Sequence, residues 1–393
     1  MGTKILVVNI GSASKKYSIF DATHELAFFH FEQEEGGYIV TIKKENSFEK
    51  GSVSKEDYSN SIEFLSNYLS ENMNIQSDDI VSVAFRIVAP GTYFQKDRII
   101  DEDFIENIKN VEKFDELHIS PVIEEIKKVS KMYSEQKKIG VSDSAFHNTK
   151  KEESKYYGIS KELQDTYDYK RFGYHGISVE SVVEKIKEES SIENKKMIIC
   201  HLGGGISITA INNGISLDNT MGFSPLEGPV MATRSGNVDE VLLMDLFREE
   251  KMLSDNEKIE FLFEKSGLLG LSGISSDLRI LREESFKGNN DAKFAVRVYV
   301  FNIVKSILEM ASVSKGVDMI VFTGTVGLRA SFIRELILEE LQWLGFYFDV
   351  EKNSDNSVNS DYFMIHSHDS KKEILVCGTD EMKMILKRTM RFV

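Results

Sequence analysis

The chain has 393 residues, with 48 Lys and Arg against 63 Asp and Glu, for a formal charge of −15. That length suits two or three domains of about 100–200 residues each, and 41% hydrophobic with 10% aromatic residues is too apolar for a disordered chain. The acidic balance argues against general binding to nucleic acid or an anionic membrane, both of which need a basic face, and leaves room for a locally basic cleft around a small anion.

Two cysteines, Cys200 and Cys377, each sit in an apolar run. They are too few for a disulfide framework, and no Cys/His spacing suggests zinc. The longest apolar runs, such as 5–8 and 319–322, fall well short of the roughly 20 residues a membrane-spanning helix needs. Residues 1–4 lead straight into a strand without an apolar leader. The expectation is a soluble, cytoplasmic protein.

Residues 4–9 (KILVVN) are β-rich, Gly11-Ser12-Ala13-Ser14 is a turn, and 17–20 forms the returning strand. Residues 58–69 place Ile62, Leu65 and Leu69 on one helical stripe. Arg86 lies inside the apolar strand 82–88, where a guanidinium must be paired or point into a cleft. Asp143 follows Ile139-Gly140-Val141, at the end of a strand, where ligand crevices open. About 190 residues after the first hairpin the pattern recurs: 197–202 (MIICHL), Gly203-Gly204-Gly205, then 206–211 (ISITAI). Two such openings predict duplicated domains. Further on, strand 319–323, the loop Gly324-Thr325-Val326-Gly327 and a helix over 331–344 follow one another. Ile333, Ile337, Leu341 and Leu344 form the helix stripe, with Gly345 as its cap. Strand, glycine loop and helix in that order suit an anion. A last unit joins 374–377 through Gly378-Thr379-Asp380-Glu381 to a helix ending near Met390. The class is therefore α/β or α+β, with the active site between two similar halves. Charge-rich stretches 55–57, 150–155 and 185–196 read as solvated helix faces or loops, and polar 353–361 as a surface loop.

The hairpin from Asn9 to Tyr17 combines small residues, the hydroxyls of Ser12 and Ser14, and Lys16. These suit a phosphoryl group, although an ordinary polar turn has the same composition. The triglycine turn is open to the same two readings. His147 and His175 are flanked by aromatics and glycine, where a lone histidine is more often a satisfied structural residue. Arg234 stands among small residues with only Asp239 as a local carboxylate, so its plain reading is a loop ion pair. Together Arg86, Arg234, His175 and Asp143 are what phosphoryl transfer needs: fixed cations around the transferring group and one carboxylate.

The chain resembles the acetate and short-chain carboxylate kinase family, part of the superfamily of actin and the sugar kinases. The family's N-x-G-S-S-S-x-K-Y is matched by Asn9 through Tyr17, its D-T-A-F-H by Asp143 through His147, and its R-[YF]-G-[FY]-H-G by Arg171 through Gly176. The longest match runs from Asp218 to Gly228 and on through Thr233-Arg234-Ser235-Gly236. Ser266 through Asp277 and Thr379-Asp380-Glu381 also fit, in order, so the likeness spans nearly the whole chain.

The resemblance implies an α/β fold of two duplicated actin- or ribonuclease-H-like domains facing each other across an active-site cleft. Residues 1–146 would form the acceptor side and 147–393 the phosphoryl-donor side, with the final helix 381–393 able to return to the first domain. It implies that Asn9 and Glu381 help hold Mg²⁺ (or Mn²⁺), that Ser12, Ser14 and Lys16 meet donor phosphates, and that Arg86 binds the acceptor carboxylate. Val88, Leu117, Tyr174 and Pro225 would form the small pocket for the acetate methyl. Asp143 would be the catalytic acid/base, with His175 and Arg234 stabilising the transition state. The nucleotide would lie against His201, Leu202, Gly203, Gly204, Gly205, Asp277, Leu278, Arg279, Thr325, Val326, Gly327, Leu328 and Arg329. The implied reaction moves a phosphoryl group reversibly between ATP or a related donor and acetate or another short-chain carboxylate, in a homodimer.

Departures from the pattern bear on the donor. Family H-L-G-N-G is here His201-Leu202-Gly203-Gly204-Gly205, and G-I-G-E-N is Thr325-Val326-Gly327-Leu328-Arg329. H-G-T-S-H has become His175-Gly176-Ile177-Ser178-Val179, and H-G after the Arg86 strand is Ala89-Pro90. His118 matches a family histidine, whereas Ile119-Ser120-Pro121 do not match its neighbours. Two alternatives follow: pyrophosphate as donor, or a degenerate relative that binds ligand without turnover. Retention of Asn9, Arg86, Asp143, His175, Arg234 and Glu381 argues against the second.

Overall fold

The computed structural model describes residues 4–11, 14–34, 36–45, 47–251, 254–354 and 361–393, with all their side chains except those of 116–118. Ser12 and the Leu117 side chain thus lie outside the described residues. The chain divides into two compact units, Met1–Ala145 with Asp380–Val393, and Phe146–Thr379.

In the first unit, strands β1 (Lys4–Ile10), β2 (Ser14–Asp21), β3 (His24–Glu34), β4 (Gly37–Lys44) and β5 (Ser47–Val53) form an antiparallel meander. On the other side of β1, β6 (Ile80–Ile87) and β8 (Lys137–Ser142) run parallel, and β7 (Arg98–Ile99) pairs antiparallel at the edge. The order is β5-β4-β3-β2-β1-β6-β8-β7. Because side chains alternate along a strand, Leu6, Val8 and Ile10 enter one core with Tyr17 and Ile19. Ile62, Leu65 and Leu69 of the helix Ser61–Met73 and Phe104 and Ile108 of the helix Glu102–Glu112 close that core. Asn9 and Arg86 belong to the other set of alternating positions. The C-terminal helix Glu381–Thr389 packs against β1, β6 and β8. The stripe predicted for 58–69 is present, but the helix is broken. Ser54 and Asp57 form a capping box that starts Lys55–Ser59, and Asn60, at φ −106° and ψ 39°, interrupts it before Ser61–Met73.

The second unit repeats the plan. Its strands are β9 (Lys196–Leu202), β10 (Ile206–Asn212), β11 (Ile215–Asn219), β12 (Met319–Thr323), β13 (Tyr362–Met364) and β14 (Glu373–Cys377), in the order β11-β10-β9-β12-β14-β13. Without β4 and β5, the first sheet reads β3-β2-β1-β6-β8-β7, which is the same order strand for strand. The duplication predicted from two hairpins therefore extends through both sheets. Val179, Val182, Val183 and Ile186 of the helix Gly176–Glu189 pack on Met197, Ile199, Met319, Val321 and Leu375. The helix Asn290–Val313 contacts β9, β10 and β11.

Four local expectations are corrected. The 324–327 loop is the start of a short helix, Gly324–Arg329, and the helix expected over 331–344 is Ser331–Glu339 followed by a 3-10 turn at Gln342–Leu344. Lys150, read as part of a solvated run, is buried: its Nζ lies 3.1 Å from Asp218 Oδ1 and donates to the Arg171 carbonyl at 3.2 Å. Burial pulls its pKa down and Asp218 partly restores it. Asn353, assigned to a surface loop, is 2% exposed in the helix Val350–Ser354. In both cases the partner is distant in sequence, which local composition does not register.

Candidate active site

β1, β6 and β8 run parallel, so their C-terminal ends align. Asn9 is next to last in β1, Arg86 next to last in β6, and Asp143 directly follows β8. Glu381 opens the C-terminal helix. Arg86 donates from Nε to Asp143 Oδ1 at 3.1 Å and from Nη2 to Oδ2 at 3.2 Å. Its Nη1 lies 3.4 Å from Asn9 Oδ1 and 3.9 Å from Glu381 Oε2, and Asn9 Nδ2 donates to Glu381 Oε2 at 3.1 Å. Four polar groups thus meet at one end of the sheet. Burial disfavours the guanidinium charge, but Asp143 and Glu381 outweigh it and hold Arg86 protonated above its ordinary range. The fork of Arg86 is taken by Asp143, which leaves the Nη1 edge toward Asn9 and Glu381.

Two residues that no motif marked hold this cluster. Asp97 Oδ1 accepts from the Ser142 amide at 2.9 Å, and Arg388 Nε donates to Asp97 Oδ2 at 2.8 Å. The Asp143 amide itself donates to the Ile87 carbonyl at 2.8 Å. An arginine among the apolar positions of the last helix was the one sequence signal available. The hairpin lysines divide their tasks. Lys15 Nζ reaches Glu125 Oε2 at 3.2 Å, in a cluster where Tyr17 donates to Glu125 Oε1 at 2.7 Å. Lys16 stands opposite Asn9 in the β1–β2 register and so shares its face. Ser14 opens β2, its carbonyl accepting from the Gly11 amide at 2.9 Å. Val88, just beyond β6, is half-buried.

In the second unit, His175 caps the helix Gly176–Glu189 in the left-handed region at φ 60°, a conformation uncommon for a residue with a Cβ. Its Nδ1 lies 3.1 Å from Ser207 Oγ, and its ring stacks on His201 with centroids 4.0 Å apart. His201 Nδ1 lies 2.7 Å from Ser178 Oγ. Gly205 explains part of the triglycine turn, since a Cβ there would come within 3.1 Å of Arg234 Nη1 and 3.4 Å of His175 Cε1. Arg234, His175 and the glycine turn are therefore neighbours. Arg234 Nη1 donates to the Pro225 carbonyl at 3.1 Å, while Asp239 caps the helix Glu240–Glu249 instead of pairing with it. Tyr174 is fully buried and donates to the Phe223 carbonyl at 2.6 Å. Arg171 Nη1 meets Glu227 Oε1 at 2.8 Å and Tyr157 donates to Glu227 Oε2 at 2.5 Å, tying down the segment that carries Pro225. His147 keeps to its structural reading, with its ring nitrogens 2.8 Å from Ser216 Oγ and 3.0 Å from the Tyr174 carbonyl.

β9 and β12 pair so that His201 is opposite Thr323, which sets the glycine turn beside the helix Gly324–Arg329. A cleft of about 750 Å³ lies there, lined by Gly203, Gly204, Leu278, Thr325, Val326 and Arg329 among others. Asp277 and Arg279 also line it. Arg279 Nη2 donates to Asp277 Oδ2 at 2.6 Å, and this hydrogen bonding holds the carboxyl below its usual range. Gly204 lines the cleft and leaves open space, with nothing within 4 Å of where a Cβ would stand. Gly327 is buried and Leu328 half-buried, outside the lining. Leu202 is buried, its carbonyl only 2.5 Å from where a Gly324 Cβ would stand.

Comparisons with known proteins cover nearly the whole chain. Residues 4–387 match the model of the Acetokinase family. The acetate kinase of Thermoanaerobacterium thermosaccharolyticum is 35% identical over 99% of both chains. That of Bacillus cytotoxicus is 34% identical over 99% of this chain and 98% of its own. Among solved structures, a propionate kinase from Francisella tularensis superposes with a TM-score of 0.90 at 31% identity, covering 100% of both chains. Porphyromonas gingivalis acetate kinase gives 0.85 at 30% identity over 99% of both. The two sheets are those of the actin-like α/β fold, and the chain belongs to the acetokinase family.

Proposed function

We propose that this chain transfers a phosphoryl group reversibly between ATP and acetate or a similar short-chain carboxylate, giving an acyl phosphate. Membership of the family makes it a kinase with a carboxyl group as acceptor. The observation that carries the reading is the cluster of Asn9, Arg86, Asp143 and Glu381 at the strand ends. A carboxylate is already ionised and nucleophilic at neutral pH, so the protein has mainly to place it and to neutralise charge. Arg86 presents its Nη1 edge to the acceptor while Asp143 fixes the fork. Val88, Leu117, Tyr174 and Pro225 are proposed around the acyl group. His175 and Arg234 stabilise charge on the transferring group, and Lys16, with Ser12 and Ser14, meets the donor phosphates.

Asn9 and Glu381 offer one amide and one carboxylate, hard oxygen donors that fit Mg²⁺, which commonly takes one or two carboxylates and completes its shell with phosphate and water. Among the described residues no cluster of three His, Cys, Asp or Glu forms a closed cage. Bound there, Mg²⁺ would neutralise donor phosphate charge. A cytoplasmic homodimer is proposed with this reading, on the family likeness alone.

Pyrophosphate is the competing donor, since Arg329 adds a cation and Gly204 removes a side chain. The cleft volume of about 750 Å³ favours a nucleotide, being typical of sites for drug-sized ligands. With Leu328 and Arg329 in place of the family's acidic loop end, discrimination between bases is expected to be weak. The test is a hydroxamate assay crossing acetate, propionate and butyrate with ATP, GTP and pyrophosphate. Acetyl or propionyl phosphate from ATP, with GTP within about a hundredfold in kcat/KM, is expected. Pyrophosphate exceeding both nucleotides would overturn the donor assignment, and no turnover with any pair would leave a binding protein.

A further inference from the structure

Arg334 is 2% exposed in the helix Ser331–Glu339, and among the described residues no carboxylate pairs with it. A buried guanidinium without a counter-ion is costly, and burial pulls its pKa down to about 10. Every bond it makes joins two segments. Nη1 donates to the carbonyls of Gly327 and Leu328, both at 2.9 Å. Nε donates to Asn353 Oδ1 at 2.8 Å and Nη2 to the Asn353 carbonyl at 2.7 Å. Asn353 Nδ2 in turn donates to the Ser331 carbonyl at 3.1 Å.

Gly327 and Leu328 close the six-residue helix Gly324–Arg329, whose last carbonyls have no partners within the helix. So short a helix is marginal on its own. It is pinned at its start, where Gly324 at φ 76° lies against the Leu202 backbone. Arg334 pins it at its end. Thr325, Val326, Arg329, Ala330 and Ser331 line the cleft, so the guanidinium stands behind that wall. We propose that Arg334 and Asn353 are positioning residues that fix the donor-side wall through its backbone and thereby set affinity for the phosphoryl donor. The inference rests on the donor assignment made above. It also accounts for the tolerance of Leu328 and Arg329 at positions where the family pattern differs: the wall is held by carbonyls, which substitution leaves unchanged.

The test compares the full chain with Arg334→Met, Arg334→Lys and Asn353→Ala. Steady-state kinetics give KM for ATP and for acetate, calorimetry gives the Kd of Mg·ATP, and a thermal melt reports folding. Arg334→Met is expected to raise KM and Kd for ATP by about tenfold or more, with acetate KM changed less than about twofold and kcat less than about threefold. Arg334→Lys, which reaches some of the carbonyls, should recover part of the loss. Asn353→Ala, which leaves the Gly327 and Leu328 bonds in place, should fall between and serves if Arg334→Met does not fold. A lowered melting temperature with unchanged ATP KM and Kd would make the pair purely structural and overturn the proposal. Equal losses for ATP and acetate would overturn it as well. Should the unmodified chain bind ATP without making acyl phosphate, the functional reading fails while the Kd values still decide this one. Absence of ATP binding by the unmodified chain overturns both.

Discussion

Replacing Asp143 by asparagine keeps the shape of the side chain and removes its charge. Asp143 is 1% exposed and holds Arg86 through two bonds of 3.1 and 3.2 Å. Taking away one partner of a buried ion pair typically costs about 3–5 kcal/mol. Here asparagine keeps one oxygen for one guanidinium N–H, and Glu381, 3.9 Å from Arg86 Nη1, still offsets part of the charge. The expected loss therefore falls at or just below the low end of that range, about 2–3 kcal/mol. At about 2–4 °C per kcal/mol for a domain of this size, the melting temperature should fall by about 4–12 °C. The protein should remain folded, because domains usually hold about 5–15 kcal/mol in reserve. Turnover should suffer far more. With Arg86 free to swing and a charged group gone from the site, kcat in the hydroxamate assay should drop by about a hundredfold or more. A variant that melts lower yet keeps most of its kcat would assign Asp143 to structure. A variant with unchanged melting would refute the ion-pair energetics.

Three further outcomes are expected. Arg86→Lys places a point charge where a planar fork grips Asp143, so the chain should fold while acetate KM rises by about tenfold or more; near-normal acetate kinetics would remove Arg86 from the acceptor site. Gly324→Ala puts a Cβ 2.5 Å from the Leu202 carbonyl at a backbone φ of 76°, a strain of about 1–3 kcal/mol, and should raise ATP KM more than acetate KM; equal kinetics with both substrates would show that the wall does not depend on this wedge. His30 concerns pH: its Nε2 is buried with no hydrogen-bond partner among the described residues, and burial, with Lys16 and Lys43 nearby, lowers its pKa to about 4. The unfolded chain takes up that proton near 6.5, so the contribution is complete above 6.5 and is lost as pH falls toward 4. Glu32 Oε2, 3.3 Å from Nδ1, fits the neutral ring as acceptor. His30→Phe should therefore shrink the fall in melting temperature between pH 7 and pH 5; an undiminished fall would place the acid sensitivity elsewhere.

Much of the fold could be read from alternation and turns. The hairpins at 4–20 and 197–211 announce themselves by β-rich runs around small residues, and strand order then follows the duplication. Arg86 was legible because a guanidinium in an apolar strand demands a partner, and Asp143 because it ends one. The contacts of Lys150, Asp97, Arg388 and Arg334 were not. Each is a charged residue in a segment whose local pattern looks solvated or amphipathic, and each has a partner well separated in sequence. The 324–329 segment was misread for a related reason: its glycines suggest a loop, while Arg334 and the Leu202 backbone hold it helical.

Acetate labelled with ¹⁸O in its carboxylate addresses most directly the claim that an acceptor carboxylate oxygen attacks the transferring phosphorus. With ATP, Mg²⁺ and hydroxylamine present, hydroxylamine attacks the acyl carbon and expels phosphate with the bridging oxygen. Inorganic phosphate should then carry a single ¹⁸O for every hydroxamate formed, read by mass spectrometry. Phosphate released without label, or ADP formed without hydroxamate, would mean that water is the acceptor, and would contradict the account.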